Sequence, residues 1–468
     1  MHILSSMRTR AIPFFILLGS ASVLAQSPSL APELRTKIDV AAQQVLATTG
    51  VPSASVAIVQ DGRVVYLGAY GTARLESKTT ARPEMRYSIG SISKQFTAAA
   101  ILLLAEQGKL SLEDPVARFI PDLTRAKEVT IRQVLSHTAG YQDYWPQDYV
   151  PPFMLQPITA NKILDLWARK PLDFDPGTQW QYSNTGFIVA GLIVEKASGM
   201  PLLEFLNKNI FTPLEMKSVM NIDQEHLTDT DATGYMRYGL GPLRVAPKEG
   251  KGWLFAAGEL AMPAEDLAKW DISLINQTLL KPASYHEMET TIVLKNGVAT
   301  NYGLGVTVRR QFNHRAIEHG GEVSGFTAEN LVFPDERAAV VVLTNEDAAD
   351  ASGAIARKIA PLLFAQEEAA TEEEKARQVF ADLQRDKINR ALFTDNANSY
   401  FDEPALRDFA SGLAPLGAPE SFTQTAQAER GGMTLRVFTV KFPKQTLRVI
   451  ERAMPDGKLE QYQIEAAE

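Results

Sequence analysis

Ser91 and Lys94 stand three residues apart where a helical pattern rich in alanine and leucine begins. Side chains at this spacing project from the same face of a helix, so the hydroxyl and the amine lie within reach of each other. A base beside a serine activates its hydroxyl as a nucleophile, and free N–H groups at a helix start stabilise the oxyanion formed on an attacked carbonyl. The pair predicts acyl transfer, with Ser91 as nucleophile and Lys94 as base.

A purely structural role is the alternative for this pair. Ser91 would then cap the helix, and Lys94 would extend from a solvated face. This S-x-x-K is nevertheless the only one in the chain. A lysine acts as a base only where burial or neighbouring charge lowers its pKa, so the prediction depends on the surroundings of Lys94.

A second motif, Tyr182-Ser183-Asn184, is the only Y-x-N in the chain and precedes an apolar helical pattern. A phenol there can relay a proton to a leaving group, and the amide two residues later can hold a substrate carbonyl and contact Lys94. For this tripeptide alone the structural alternative is favoured, with Tyr182 in the core and Asn184 as a helix cap.

A third motif, His319-Gly320-Gly321, ends a strand pattern. Two glycines let a ligand approach the backbone closely, so this strand edge is predicted to bind an extended substrate as an added strand. The alternative is a plain turn that leaves His319 exposed.

Together the three motifs resemble those of the serine β-lactamase and penicillin-binding-protein superfamily, in the branch with class C β-lactamases, D-aminopeptidases and β-lactamase-like esterases. The resemblance covers about residues 33–365 and includes the stretches 110–116, 135–140 and 255–260. It implies a β-lactamase/transpeptidase-like fold. It also implies roles for the matching positions: nucleophile Ser91, base Lys94, proton shuttle Tyr182, substrate-binding residues Asn184, His319, Gly320 and Gly321, and an oxyanion hole from the backbone N–H groups of Ser91 and Glu322.

One position departs from many members, because His319 stands where they carry lysine. A lysine is cationic at pH 7, whereas a histidine of ordinary pKa is mostly neutral. The change favours esters or amides that lack the carboxylate of a β-lactam or a C-terminal D-alanine. β-Lactamase and D-alanyl-D-alanine carboxypeptidase activities stay as alternatives, and so does a non-catalytic sensor of penicillin or cell-wall fragments.

The elements around these motifs predict an α+β fold. Strand patterns lie at both ends of the segment 26–366, over 53–60 and 63–70 and again over 302–309, 315–319, 326–333 and 338–344, and a helical pattern over 348–364 follows. Helical patterns fill the middle of the segment, which favours an antiparallel sheet flanked by helices with an inserted all-helical subdomain. Asp61-Gly62 predicts a two-residue hairpin. Five glutamates between 367 and 374 mark a composition break, and 370–468 is predicted as a small C-terminal α+β domain of unassigned role.

An aromatic loop follows the 135–140 stretch. Its members Tyr141, Tyr144 and Trp145 are predicted to wall an apolar pocket, with local packing as an equal alternative. His137 is predicted to have a structural role rather than a catalytic one.

Bulk composition excludes several classes. The net charge of -8 argues against nucleic acid as a partner, and the absence of cysteine excludes a thiol nucleophile and a thiolate metal site. The six histidines suggest no metal site, no cofactor is expected, and a small ester, amide or peptide substrate is the expected partner, with the oligomeric state open.

The first residues predict export. Arg8 and Arg10 precede an apolar run and a small-residue site ending at Ala25, which is typical of a signal peptide over residues 1–25. Cleavage would place the protein in the periplasm or outside the cell with no stable membrane span. An uncleaved N-terminal anchor is the alternative.

Overall fold

The computed structural model describes residues 30–147 and 149–467. The predicted signal peptide, residues 1–25, lies outside the described residues.

One large sheet organises the first part of the chain. Its seven strands lie in the order β3-β2-β1-β12-β11-β10-β9, and every neighbouring pair is antiparallel. The strands of the chain are β1 (Ser53–Gln60), β2 (Arg63–Arg74), β3 (Thr79–Thr80), β4 (Tyr87–Ser88), β5 (Met220–Asn221), β6 (Tyr235–Met236), β7 (Arg244–Val245), β8 (Leu260–Met262), β9 (Thr307–Gln311), β10 (His314–Val323), β11 (Phe326–Phe333), β12 (Ala338–Thr344), β13 (Ser421–Arg430), β14 (Met433–Lys441), β15 (Thr446–Ala453) and β16 (Leu459–Ala466). The first long strand thus pairs with the last one, which confirms the predicted sheet built from both ends.

Helices cover both faces of this sheet. The α-helices of the described residues are α1 (Pro32–Thr49), α2 (Ser93–Glu106), α3 (Ile131–Leu135), α4 (Ala160–Ile163), α5 (Asn184–Ser198), α6 (Leu202–Leu206), α7 (Phe255–Gly258), α8 (Ala264–Asn276), α9 (Pro282–Glu289), α10 (Ala351–Leu383), α11 (Asp395–Tyr400) and α12 (Glu403–Leu413). On one face α1 and α10 pack against the strands, and on the other α8 does. Strand β12 is buried along its whole length because it is covered on both faces.

The hairpin between β1 and β2 forms as predicted. Asp61 and Gly62 both have positive φ, 52° and 68°. This is the left-handed pair that a two-residue turn of type I′ requires, and glycine adopts it at little cost.

Several predicted elements differ in extent; the strands predicted over 63–70 and 315–319, for example, extend over Arg63–Arg74 and His314–Val323. A strand predicted over 302–309 begins only at Thr307, since Gly305 has a φ of 75° and interrupts extended backbone just before it. A helix predicted over 348–364 continues to Leu383 as α10, and the predicted domain boundary at 366–370 lies inside it.

The C-terminal part has a sheet and a core of its own. Strands β13 to β16 form a four-stranded antiparallel sheet, and its buried residues cluster with the end of α10 from Ala376 onward. The division of the chain into two domains stays a prediction.

No single helix among the described residues has the length and apolar character needed to cross a membrane. One sharply bent pair, Asn184–Ser198 with Leu202–Phe211, meets the criterion of length and composition together.

The turn before α2 is pressed against strand β10. A Cβ atom added at Gly321 would lie 1.9 Å from the carbonyl oxygen of Ile89, and one added at Gly90 would lie 2.6 Å from the backbone nitrogen of Glu322. Gly90 also has a φ of 49°. Backbone therefore meets backbone here, and glycine is required because no side chain fits between the two segments.

We expect Gly321→Ala to destabilise the fold by about 1–3 kcal/mol, because the new methyl group forces the turn and the strand apart. Gly320→Ala is the matched control, since its Cβ would meet nothing closer than 3.8 Å; its stability is expected to change by less than about 0.5 kcal/mol. Chemical denaturation of the two variants and the parent measures the difference. Equal stability of the two variants would contradict the packing described.

Candidate active site

The amine of Lys94 lies at the centre of the site and is fully buried. Its Nζ atom lies 2.8 Å from each of three oxygens: Ser91 Oγ, Asn184 Oδ1 and the carbonyl of Ala257. The structural alternative of a solvated Lys94 is therefore wrong. The S-x-x-K spacing brings hydroxyl and amine together across the start of the helix, as the sequence predicts.

Helix α2 buries Lys94 because the helix is enclosed on nearly every side. Its residues from Ser93 to Leu102 are all buried, and it packs against α5 and α7. Burial lowers the pKa of Lys94 from its ordinary value to about 7, and the carboxylate of Asp143 opposes that shift. A large fraction of Lys94 is therefore uncharged at neutral pH.

When Lys94 is uncharged, its three hydrogen-bond partners determine where its lone pair points. Neutral lysine has two N–H donors and a lone pair, and the amide oxygen of Asn184 and the carbonyl of Ala257 can only accept. The lone pair is then left to face the Ser91 hydroxyl. In this geometry a proton can pass from Ser91 Oγ to Lys94 Nζ.

Asp143 was not singled out by the sequence, yet it orients Asn184. Its carboxylate accepts hydrogen bonds from the backbone N–H of Asn184 at 2.9 Å and from Nδ2 at 3.3 Å. Since Nδ2 faces Asp143, the Oδ1 atom must face Lys94. Burial raises the pKa of Asp143. No spacing rule in the aromatic loop marks this residue, because its partner Asn184 is 41 positions away.

Tyr182 lies over the same amine. Lys94 Nζ is 4.9 Å from the centroid of the Tyr182 ring, and the ring packs against that of His137 at 4.2 Å. Burial raises the pKa of Tyr182 well above its ordinary value, while a hydrogen bond with Ser91 lowers it. The phenol keeps its proton at neutral pH and can donate it.

His319 is buried, with 6% of its surface exposed, so the alternative of an exposed histidine is wrong. Its Nε2 atom lies 2.9 Å from the Tyr302 hydroxyl and its Nδ1 atom 2.5 Å from the carbonyl oxygen of Gly320. Both ring nitrogens are thus bonded within the protein, and a direct hydrogen bond from His319 to a substrate is not available in this arrangement. Burial, and then the charge of Lys94, lower the pKa of His319 to about 4.

His137 is structural, in agreement with the prediction. Its Nδ1 accepts the backbone N–H of Ser183 at 3.1 Å, and its Nε2 lies 3.2 Å from the hydroxyl of Tyr302. Tyr302 therefore bridges two buried histidines. No motif around Tyr302 in the sequence indicates this bridge.

The predicted oxyanion donors are brought to one place by the contact between the turn and β10. Ser91 lies in a 3₁₀ turn over Gly90–Ile92, and Gly90 packs on the backbone of Glu322.

Strand β9 pairs with β10 only as far as Glu318, so β9 does not cover the edge of β10 from His319 to Val323. This edge opens into the cleft and can receive an extended chain.

A cleft of about 1500 Å³ contains Ser91, Tyr182, Asn184 and the third motif. Tyr144 and Trp145 line it, and Tyr144 is held by a hydrogen bond to the carbonyl of Trp253. The prediction for Tyr141 is wrong: it is not among the residues that line the cleft, and it is 1% exposed and packs in the hydrophobic core.

Charge along the cleft is mostly negative. Among the lining residues that the structure describes, the acidic side chains are Asp143, Glu322, Glu329, Asp347 and Asp350. Burial raises the pKa of Glu329 to about 8, so this group is mostly protonated at neutral pH, and Asp350 forms an ion pair with Arg357. The one arginine or lysine in that described lining is Arg237, which forms an ion pair with the buried Glu346 at 3.0 Å. Within the described parts of the chain, no group of three or more histidine, aspartate or glutamate side chains is arranged to hold a metal ion.

Comparison with known proteins agrees with this geometry. The family model described as Beta-lactamase matches residues 38–362. Penicillin-binding protein 4* of Bacillus subtilis is 28% identical over 74% of this chain and 78% of its own length. A D-aminopeptidase of Brucella anthropi is 28% identical over 63% of this chain, and the match spans only 56% of that relative's length.

A solved structure shows the same fold. A D-stereospecific amidohydrolase from Streptomyces aligns with a TM-score of 0.59 and 27% sequence identity, covering 68% of this chain and 96% of that one. The matched family model spans more than half of the chain and includes every residue of the three motifs. The chain therefore belongs to the β-lactamase family of serine hydrolases.

Proposed function

We propose that this protein is an exported hydrolase of esters or peptide-like amides that acts through an acyl-enzyme on Ser91, with Lys94 and Tyr182 as acid–base groups. The observation that carries the proposal is the buried amine of Lys94, 2.8 Å from Ser91 Oγ and with a pKa near 7. A base works best when its pKa lies near the working pH.

Acylation follows from these contacts. Lys94 takes the proton of Ser91 as Oγ attacks the substrate carbonyl, and the backbone N–H groups of Ser91 and Glu322 stabilise the oxyanion. The carbonyl re-forms as the bond to the leaving oxygen or nitrogen breaks, and Tyr182 gives that atom a proton. Lys94 returns its proton to Tyr182 through the hydroxyl network, which restores both groups.

Deacylation runs the same steps with water as the nucleophile. Water loses a proton to the base, attacks the acyl carbonyl, and Ser91 Oγ leaves with a proton. The Asn184 amide has one N–H directed at Asp143 and a second free to hold the substrate carbonyl.

The charge of the cleft supports substrates without a carboxylate. His319 is neutral, and Arg237 is already paired. An anionic substrate would meet several carboxylates and no permanent unpaired cation among the described lining residues. This favours ester or amide hydrolysis over the β-lactamase and carboxypeptidase alternatives, and the names of the D-aminopeptidase and amidohydrolase relatives agree with it.

Export rests on the residues before the fold. The positive residues Arg8 and Arg10, the apolar run and the small-residue site ending at Ala25 have the order of a signal peptide. Amino-terminal sequencing of the mature protein from a periplasmic or culture fraction examines that part of the proposal.

We expect Ser91→Ala to abolish turnover of a chromogenic short-chain ester and of a D-aminoacyl p-nitroanilide, since the variant lacks the hydroxyl that forms the acyl-enzyme in the proposed mechanism. Intact-mass analysis after treatment with a fluorophosphonate should show one adduct on the parent and none on the variant. Ser77→Ala, an exposed hydroxyl, is the control that keeps full activity. Full turnover by Ser91→Ala would overturn the mechanism, and an adduct that persists for hours with every acyl donor would indicate a sensor.

The pH profile reports on Lys94. Because the base must be uncharged, kcat/KM should rise as pH increases through about 7 and then level off. The carboxylate of Asp143 raises the pKa of Lys94, so Asp143→Asn should move this inflection to lower pH. Asp173→Asn, an exposed position of the same subdomain, should leave the inflection in place. An unchanged inflection in Asp143→Asn would show that another group controls it.

Substrate charge tests the role of His319. On matched aryl esters that differ only in a neutral or a carboxylate acyl end, we expect the anionic one to react at least about tenfold more slowly, equivalent to about 1.4 kcal/mol. His319→Lys should narrow that ratio by placing an amine at the cleft, whereas the exposed His286→Lys should not. Equal rates for the two esters in the parent would contradict the assignment of substrate class.

A further inference from the structure

We propose that Tyr302 is a positioning residue for the proposed reaction: anchored by His137, it fixes His319 in a single neutral tautomer and so sets the edge of β10 that receives the substrate. The inference rests on the proposed function for its link to catalysis. The tautomer of His319 can nevertheless be measured on the protein in the absence of any substrate.

The direction of each hydrogen bond follows from one fixed donor. The backbone N–H of Ser183 donates to His137 Nδ1, so the proton of the neutral His137 ring is on Nε2. That N–H donates to the Tyr302 oxygen at 3.2 Å. Burial lowers the pKa of His137 well below its ordinary value, which keeps the ring neutral.

The orientation of the Tyr302 hydroxyl then determines which ring nitrogen of His319 carries the proton. Its oxygen accepts from His137, and its own O–H is left to donate to His319 Nε2 at 2.9 Å. His319 must therefore carry its proton on Nδ1, where it donates to the carbonyl oxygen of Gly320. In the other tautomer Nε2 would itself donate, so the Tyr302 O–H would lose its acceptor and the Gly320 carbonyl would lose this donor.

The backbone holds the Tyr302 hydroxyl in place. Tyr302 is 3% exposed, its carbonyl accepts from the backbone of Ile292 at 2.9 Å, and its N–H donates to the hydroxyl of Thr300. The ring also packs against those of His137 and Trp180. The phenol is thus a rigid spacer between the loop after α3 and strand β10.

The position of His319 matters because of what lies around it. Its ring is 6.3 Å from that of Tyr182, and the positive charge of Lys94 acts on it. The carbonyl that it holds belongs to Gly320, next to the glycine that contacts the turn bearing Ser91. A histidine released from Tyr302 would alter that strand edge and the electrostatics of the base together.

The first test is the ¹⁵N chemical shift of the His319 ring, assigned with His319→Ala. In the parent protein we expect the Nδ1–H form alone from pH 6 to 8. In Tyr302→Phe we expect a mixture of tautomers, because Nε2 has lost its donor. Tyr141→Phe is the matched control: it removes a buried hydroxyl that has no hydrogen-bond partner, and it should leave the His319 signals unchanged. A parent His319 with its proton on Nε2 would overturn the proposal even if the variant did not fold.

The second test measures the rate of Ser91 labelling by a fluorophosphonate in a double-mutant cycle. We expect Tyr302→Phe to slow labelling about tenfold alone and to have no further effect in a His319→Ala background, because its action passes through His319. Additive losses would show that Tyr302 acts independently and would overturn the proposal. Loss of labelling in the parent protein would instead contradict the proposed function while leaving the tautomer measurement valid.

Discussion

The packing around the site is organised so that the amine of Lys94 stays buried and partly uncharged. A lysine removed from water has a large desolvation cost, and the surrounding segments offset it by supplying oxygens at hydrogen-bonding distance. The three oxygens bonded to Lys94 come from the turn before α2, from the start of α5 and from α7. In the proposed mechanism Lys94 can act as a base only when these three segments are assembled, so folding and the proposed catalysis share the same contacts.

A second constraint is the direct backbone contact between strand β10 and the turn over Gly90–Ile92, which carries Ser91. Gly90 and Gly321 allow an approach that no larger residue permits. The contact places the helical part of the fold, which carries Ser91, against the sheet, which carries Glu322. The sheet is held from its other side by α10, so the oxyanion donors lie between two well-packed layers rather than on a free loop.

Polar side chains around the site act mainly through other side chains. Asp143 orients Asn184, and Tyr302 orients His319. Asp143 is half-buried and Tyr302 is buried, and the hydrogen-bond partners of each leave one arrangement of donors and acceptors. Such a network reduces the number of hydrogen-bonding arrangements available to the site. It also explains how a neutral histidine can occupy the position of the lysine found in many family members, since both ring nitrogens of His319 have hydrogen-bond partners.

Local patterns in the sequence were enough to predict the S-x-x-K helix start, the Asp61-Gly62 hairpin, the exact bounds of strands β11 and β12, and the sheet built from both ends. These follow from spacing, turn chemistry and apolar pattern, which act over a few residues. The folded structure was needed to establish the burial of Lys94, the partners of Asp143 and Tyr302, the hydrogen bonds of His319 and the placement of Tyr141 in the core. These depend on contacts between residues up to 165 positions apart, and no local pattern specifies which distant groups will meet.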